Sequence, residues 1–155
     1  VNVIRALDGL IDVYLPDFKY ASPELADKMS GAADYPSMAT AAIDEMCRQR
    51  GEYREKNGLA KSGVIIRHLV LPGHRDDSKA ALRVIAERWR TAKVSVMRQY
   101  TPEFNRSPYP ELNRRITSFE YDDVVKEAIR LGLDGFTQEK GCETADFTPD
   151  FNKIY

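Results

Sequence analysis

The chain has 155 residues, 43% hydrophobic and 30% charged, which is the composition of one globular domain and excludes disordered and fibrous classes. Its 23 basic and 24 acidic residues leave a formal net charge of −1, so no overall field favours nucleic acid or an anionic membrane as partner. Since the sequence contains neither a membrane-length apolar run nor a secretion signal, we expect a cytoplasmic protein.

The first informative stretch is a short apolar run at residues 10–14 that stops at Pro16. A run of this length before a proline predicts a buried strand that opens into a loop. Asp17 and Lys19 follow at alternate positions, so in an extended chain both side chains lie on one side and can reach one ligand. A solvated ion pair in a loop is the alternative reading.

Residues 1–6 have the pattern of the end of an amphipathic helix and do not begin with methionine. We therefore expect the chain to be part of a longer protein.

Two helices are predicted next. Ser22 and Pro23 supply a cap and a first-turn proline for a short helix at residues 25–30. A longer helix at residues 36–50 is expected to bury a stripe at helical spacing, which consists of Met38, Ala42, Ile43 and Met46, extended by Cys47.

A hairpin and a second strand follow. Asn57-Gly58 is a strong hairpin signal within residues 52–63. Residues 64–71 are apolar apart from Arg67 and His68, which predicts a strand covered on both faces.

The next helix is expected to be capped by Asp76, Asp77 or Ser78 and to carry Trp89 as a core anchor. A third strand is predicted at residues 94–98, and a proline-rich loop follows it.

Thr117 and Glu120 have capping-box spacing for a last helix with apolar side chains from Val124 to Leu131. A fourth strand is predicted at residues 135–138, and residues 139–155 form an irregular aromatic and acidic tail.

Strands that alternate with helices predict an α/β fold with mostly parallel strands and helical crossovers. The architecture is either about half of a (β/α) TIM-like barrel with one inserted hairpin or a small doubly wound sheet. In both, ligand sites lie beyond the carboxyl ends of the strands. The polar side chains expected there are Asp17, Lys19, His74, Gln99, Tyr100, Thr101, Gln138 and Glu139.

Three residue types could carry special chemistry. Arg67 interrupts a strand, so its guanidinium needs an anionic ligand or a salt bridge to an acid such as Asp12 or Asp17. His68 and the second histidine, at position 74, have no partner at metal or triad spacing, which favours structural roles. Cys47 and Cys142 likewise lack metal-ligand spacing and are expected to be free thiols.

Several strings resemble the radical S-adenosylmethionine (SAM) proteins that are similar to pyruvate formate-lyase-activating enzyme. The resemblance runs nearly from end to end and in order. It rests on YLPDFK at 14–19, VIIRHLVLPG at 64–73, MRQYTP at 97–102, YPELNRR at 109–115, GFTQ at 135–138 and DFTPDF at 146–151.

The resemblance implies a partial barrel whose earlier half holds a 4Fe-4S cluster on a C-x-x-x-C-x-x-C motif, which this sequence lacks. The chain would then be the C-terminal half, with S-adenosylmethionine as cofactor and the cluster bound elsewhere. The family's D-x-K matches Asp17 and Lys19, implying cation or cofactor binding by the first and cofactor contact by the second. The R-x-x-V-x-P-G strand matches Arg67, with Leu69 at the adenine pocket.

The P-Y-H of activating enzymes aligns with Gln99, Tyr100 and Thr101, so the resemblance implies that these three residues also bind the cofactor. Thr101 can donate to a ribose hydroxyl but lacks the stacking and charge of imidazole, so the substrate does not follow from the resemblance.

Two other functions stay open. One is a non-redox barrel-type enzyme that uses Asp17, Lys19 and Glu139 for proton transfer. The other is a non-catalytic interaction module that docks through its exposed sheet edge and aromatic tail, including as a homodimer; the aromatic residues are Phe136, Phe147, Phe151 and Tyr155.

Overall fold

The structure is a computed structural model that describes residues 1–103 and 105–138. The helices and strands of this part of the chain are α1 (Asn2–Ala6), β1 (Val13–Tyr14), α2 (Pro23–Ser30), α3 (Tyr35–Arg50), β2 (Arg54–Lys56), β3 (Leu59–Leu69), α4 (Arg75–Arg88), β4 (Lys93–Met97), α5 (Ser118–Arg130) and β5 (Gly135–Thr137), with a 3-10 helix at Pro110–Asn113.

One sheet organises these elements. Its parallel strands lie in the order β1-β3-β4-β5, and helices connect each strand to the next. The prediction of an α/β fold with mostly parallel strands and helical crossovers is confirmed. The hairpin is confirmed too: β2 pairs antiparallel with β3, and Asn57 and Gly58 have φ of 54° and 73°, as a tight hairpin turn of the favoured hand requires.

Two helix starts agree with their sequence signals. The hydroxyl of Ser22 accepts a hydrogen bond from the amide of Leu25, with Pro23 in the first turn of α2. Thr117 and Glu120 form the predicted capping box at the start of α5. These caps depend only on residues three apart, so a local pattern is sufficient to locate them.

The predicted cap of α4 is wrong. The helix begins at Arg75, and no side chain caps it. The carboxylate of Asp77 instead accepts hydrogen bonds from the amides of Ala21 and Ser22 at 3.1 and 2.8 Å. It thereby fixes the chain segment between β1 and α2 to α4.

The buried stripe of α3 agrees with the prediction at Ile43 and differs from it at Met38. Ile43 is buried as predicted, whereas Met38 is 55% exposed and Ala39 is buried in its place. Because the stripe is set by the angle at which α3 packs on β3, its boundary could not be read from spacing alone. Trp89 is buried as predicted, with its ring edge-to-face on Phe18 at 5.5 Å between centroids.

The predicted two-sided burial of β3 is wrong within the described residues. Val64, Ile66, His68 and Val70 are fully buried against the helices. The residues between them, Ile65, Arg67 and Leu69, stay partly exposed on the opposite side. The sheet therefore has one face covered by helices and one open face.

Candidate functional site

The pairing register of the strands shows which residues lie on the open face of the sheet. Asp17 is opposite Arg67, Arg67 is opposite Ser95, and Ser95 is opposite Phe136. Residues opposite one another in a parallel sheet share a face. We call the set Asp17, Arg67, Leu69, Ser95, Met97 and Phe136 the open face.

Arg67 and Asp17 form an ion pair on this face. The distance from Nε of Arg67 to Oδ1 of Asp17 is 2.8 Å, and the two side chains are 42% and 33% exposed. Both of these atoms are buried, but they do not have the alignment of a hydrogen bond. The salt bridge to Asp17 considered from the sequence is therefore present, and the other donors of the guanidinium stay available to a ligand.

Lys19 lies beside the apolar part of the same region. A small cavity of about 100 Å³ is lined by Lys19, Tyr20, Leu69 and Leu71. This volume is below the roughly 300 Å³ at which small-molecule pockets begin. In this cavity the exposed Lys19 lies next to leucine side chains.

Tyr35 fixes the backbone of the segment after β1 that carries Asp17 and Lys19. Its hydroxyl donates to the carbonyl oxygen of Asp17 at 2.9 Å and accepts from the amide of Lys19 at 3.0 Å. Burial raises the pKa of this hydroxyl, so it stays protonated and can do both. Tyr35 is a residue that no motif in the sequence singles out, because its only local signal is its position at the start of a helix.

The side chain of Gln99 approaches the open face, whereas that of Tyr100 is directed to the 3-10 helix. The amide nitrogen of Gln99 lies 4.0 Å from the sulfur of Met97. Tyr100 donates its hydroxyl to the carbonyl oxygen of Leu112 at 2.9 Å, and burial raises its pKa. Thr101 is half-buried. The alignment of this trio with P-Y-H therefore does not bring all three side chains together.

Gln138 extends the site onto β5. Its side chain donates to Oε1 of Gln99 at 3.2 Å and accepts from the amide of Arg98 at 2.7 Å. Parallel register could have indicated this contact, since Gln138 follows directly after the pairing of Val96 with Thr137.

The loop after β4 is joined to the end of β3 through Glu120. This carboxylate accepts from the amide of Gly73 at 2.8 Å and from both terminal nitrogens of Arg114. The Arg114 guanidinium holds the pKa of Glu120 well below its usual range. His74 packs nearby, 3.4 Å from Glu111, which agrees with a structural role.

His68 lies on the helix-covered face and does not contact the open one. Its Nδ1 is 2.7 Å from the carbonyl oxygen of Phe18, so this nitrogen carries the proton. Burial lowers the pKa of the ring. This environment also agrees with a structural role rather than a catalytic one.

The described residues contain no group of three side chains that could hold a metal ion. Cys47 is half-buried on α3, and burial raises its thiol pKa to about 11, so it is a poor metal ligand. Cys142 and Glu139 lie outside the described residues. None of the described helices is long and apolar enough to cross a membrane.

The fold and the site define an α/β protein with a parallel sheet and a polar open face. No protein-family model matches the chain. It is 33% identical over 135 residues to the uncharacterized protein MJ0674 of Methanocaldococcus jannaschii. The match covers 86% of this chain and 36% of that protein, so the chain spans about a third of the length of the curated relative it matches. Because that protein is uncharacterized, the similarity assigns no activity to this chain.

Proposed function

We propose that this chain is the C-terminal part of a radical SAM enzyme related to pyruvate formate-lyase-activating enzyme, and that its open face binds S-adenosylmethionine. One observation carries the proposal: Asp17 is paired with Arg67, Leu69 lies two residues further along β3 on the same sheet face, and Lys19 borders the same leucine. The resemblance expects these four residues in one cofactor site.

The chemistry of these side chains fits the cofactor. Arg67 offers guanidinium donors beyond the Nε that faces Asp17, and Lys19 offers an exposed ammonium. Both suit a carboxylate. Leu69 and Leu71 provide an apolar wall for the adenine ring, and the acidic partner of Arg67 suits the cationic end of the ligand.

The geometry also supports a site shared with more protein. A half-barrel leaves the inner side of its sheet uncovered, as the open face is here. The small cavity beside Lys19 and Leu69 would be completed by the remainder of a barrel, which is part of the proposal.

The described residues do not fit a 4Fe-4S cluster, because they contain no group of metal ligands. In this proposal the cluster is held by an N-terminal part of the enzyme. With that cluster, bound S-adenosylmethionine is the source of a 5′-deoxyadenosyl radical. The residues of this chain only bind and orient the cofactor.

The test uses the native polypeptide that contains this sequence, purified without oxygen from its source cells. We expect it to be longer than the chain, to carry iron, and to convert S-adenosylmethionine to 5′-deoxyadenosine and methionine under reduction. Arg67→Gln should weaken S-adenosylmethionine binding in a titration. Arg54→Gln, on the exposed strand β2, is the matched control and should bind like the wild type.

Two outcomes would overturn the proposal. The first is a native protein that has no iron and does not bind the cofactor; activity on another substrate without iron would then favour proton transfer by Asp17, Lys19 and Glu139. The second is an equal loss of binding in the Arg67 and Arg54 variants.

A second candidate is an interaction module, favoured by the apolar surface at the β5 edge. Phe136 and Ile129 are 48% and 71% exposed there. Among the described residues β5 pairs only with β4, so its outer edge can accept another strand. A homodimer in sedimentation that Phe136→Ser dissociates would support this candidate.

A further inference from the structure

The ends of β4 and β5 are joined by side chains where a regular ladder would use the backbone. The ladder begins normally, with the amide of Val94 donating to the carbonyl of Asp134 at 3.0 Å. Continued to the strand ends, the ladder of a parallel pair would join Gln138 N–H to the Val96 carbonyl, and Arg98 N–H to the Gln138 carbonyl.

Both of these bonds are replaced. The hydroxyl of Tyr121 accepts from the amide of Gln138 at 2.7 Å and donates to the carbonyl of Val96 at 2.8 Å. The side-chain oxygen of Gln138 accepts from the amide of Arg98 at 2.7 Å. The carboxyl end of β5 is therefore held by two side chains.

This arrangement fixes the orientation of the Gln138 amide. A backbone N–H can only donate, so the atom of Gln138 that faces Arg98 must be its oxygen. The other atom must then be the NH2 group, which lies 3.2 Å from Oε1 of Gln99. The orientation follows from hydrogen-bond polarity alone.

The same logic extends to Gln99. Its oxygen accepts from Gln138, so its NH2 group is the end that faces Met97 on the open face. A thioether sulfur is a weak acceptor, and at 4.0 Å it leaves this NH2 group with unused donor capacity. Gln99 is exposed, so a ligand can reach it.

We infer that Gln99 is a substrate-binding residue that recognises a carboxylate oxygen, and that Gln138 is the positioning residue that sets it as a donor. This deepens the proposed function and rests on it, because a substrate of that enzyme has to lie beside the S-adenosylmethionine bound on the open face. Lys19 lies beside Leu69, which is opposite Met97, and Arg67 lies on the same face, paired with Asp17. The excess positive charge selects a carboxylate over a neutral carbonyl.

The test observes the side-chain amide of Gln99 directly, in the full 155-residue chain labelled with nitrogen-15. In the wild type we expect a nuclear Overhauser contact between this NH2 group and the methyl group of Met97. Three probes are then titrated. Acetate offers a carboxylate, N,N-dimethylacetamide offers a neutral acceptor without N–H, and methylammonium offers only donors.

Acetate should shift the Gln99 NH2 signals most, dimethylacetamide should shift them less, and methylammonium should leave them unchanged. The side-chain amide of Gln49 is the internal control. It is already engaged with the carbonyl of Ile4 and with Glu45, so its signals should not respond.

Gln138→Glu is the decisive variant. One glutamate oxygen can still accept from the amide of Arg98, but the other cannot donate to Gln99 and accepts from its NH2 group instead. The Gln99 amide should turn over, so the Met97 contact and the response to dimethylacetamide are both lost. Dimethylacetamide is uncharged, and the new negative charge therefore does not explain this loss.

Gln99→Met, of similar shape and without a donor, is the second variant if Gln138→Glu does not fold. It should abolish the acetate response on neighbouring backbone amides. The inference is overturned if wild-type Gln99 responds to neither acceptor probe, or if the Met97 contact persists in Gln138→Glu. S-adenosylmethionine is absent from this experiment. If the protein fails to bind S-adenosylmethionine in the separate test of the proposed function, the results for Gln99 can therefore still be interpreted.

Discussion

The two faces of the sheet are built from alternate residues of the same strands, yet they hold different chemistry. On the helix-covered face Ile66 and His68 have no exposed surface. On the open face their neighbours Ile65 and Arg67 remain partly exposed. One face therefore sets the stability of the domain, and the other can carry charged groups at small cost because water still screens them.

The sharpest test of this difference uses two adjacent isoleucines in β3. Ile66→Ala should lower the free energy of unfolding by about 3 kcal/mol, since it leaves a cavity in a closed core. Ile65→Ala should cost about 1 kcal/mol, because part of its surface is already in water. Urea denaturation of both variants measures this. Equal losses would show that both faces are packed alike.

A smaller loss of stability is expected from a change at Tyr121, where the helix-covered face meets the end of β5. Tyr121→Phe removes the hydroxyl between Val96 and Gln138 and should cost about 1–2 kcal/mol, because it leaves a buried carbonyl without its donor. Tyr109→Phe, which removes a hydroxyl from the loop after β4, should change the stability by less than about 0.5 kcal/mol. Thermal unfolding measures both variants. Equal stability of the two variants would contradict the bridging role of the Tyr121 hydroxyl.

The pH dependence of stability should also differ between the two faces, because His68 is buried on the helix-covered face. Burial holds the pKa of His68 below its ordinary value, so the unfolded state takes up a proton near pH 6.5 when the folded state does not. Stability should be constant above that pH and fall below it, by at most about 1.4 kcal/mol per pH unit. His68→Asn can keep the bond to the Phe18 carbonyl and should remove this slope. An unchanged slope would assign it to other groups.

The smallest effect should come from the open face. Asp17→Asn breaks a half-exposed ion pair with Arg67 and should change the stability by less than about 1 kcal/mol. Urea denaturation at low and high salt measures it, and the small difference from the wild type should shrink further with salt. A loss of several kcal/mol would mean that this pair belongs to a closed core.

The sequence was informative wherever a feature depends on near neighbours. Ser22 with Pro23, and Thr117 with Glu120, act within one helical turn. The Asn57-Gly58 turn likewise depends on two residues. The order of strands and helices followed from these signals together with the apolar runs and the helical spacing, and it predicted the α/β class.

Features that depend on distant partners were not accessible from the sequence. The carboxylate of Asp77 resembles a helix cap until Ala21 and Ser22 fold onto it. Met38 could be distinguished from Ala39 only by the packing of α3. The orientation of Gln99 depends on an amide on another strand. In each case the local sequence allows the side chain several contacts, and the tertiary fold determines which of them forms.

The tyrosine hydroxyl inserted at the end of β5 has a consequence for local opening of the molecule. The amide proton of Gln138 is bonded to a side chain of α5 rather than to β4. Its exchange with solvent deuterium should therefore report the undocking of α5, while the amide of Val94, bonded to the neighbouring backbone, reports separation of the strands themselves. Two amide protons at the same pair of strands would thus follow two different motions.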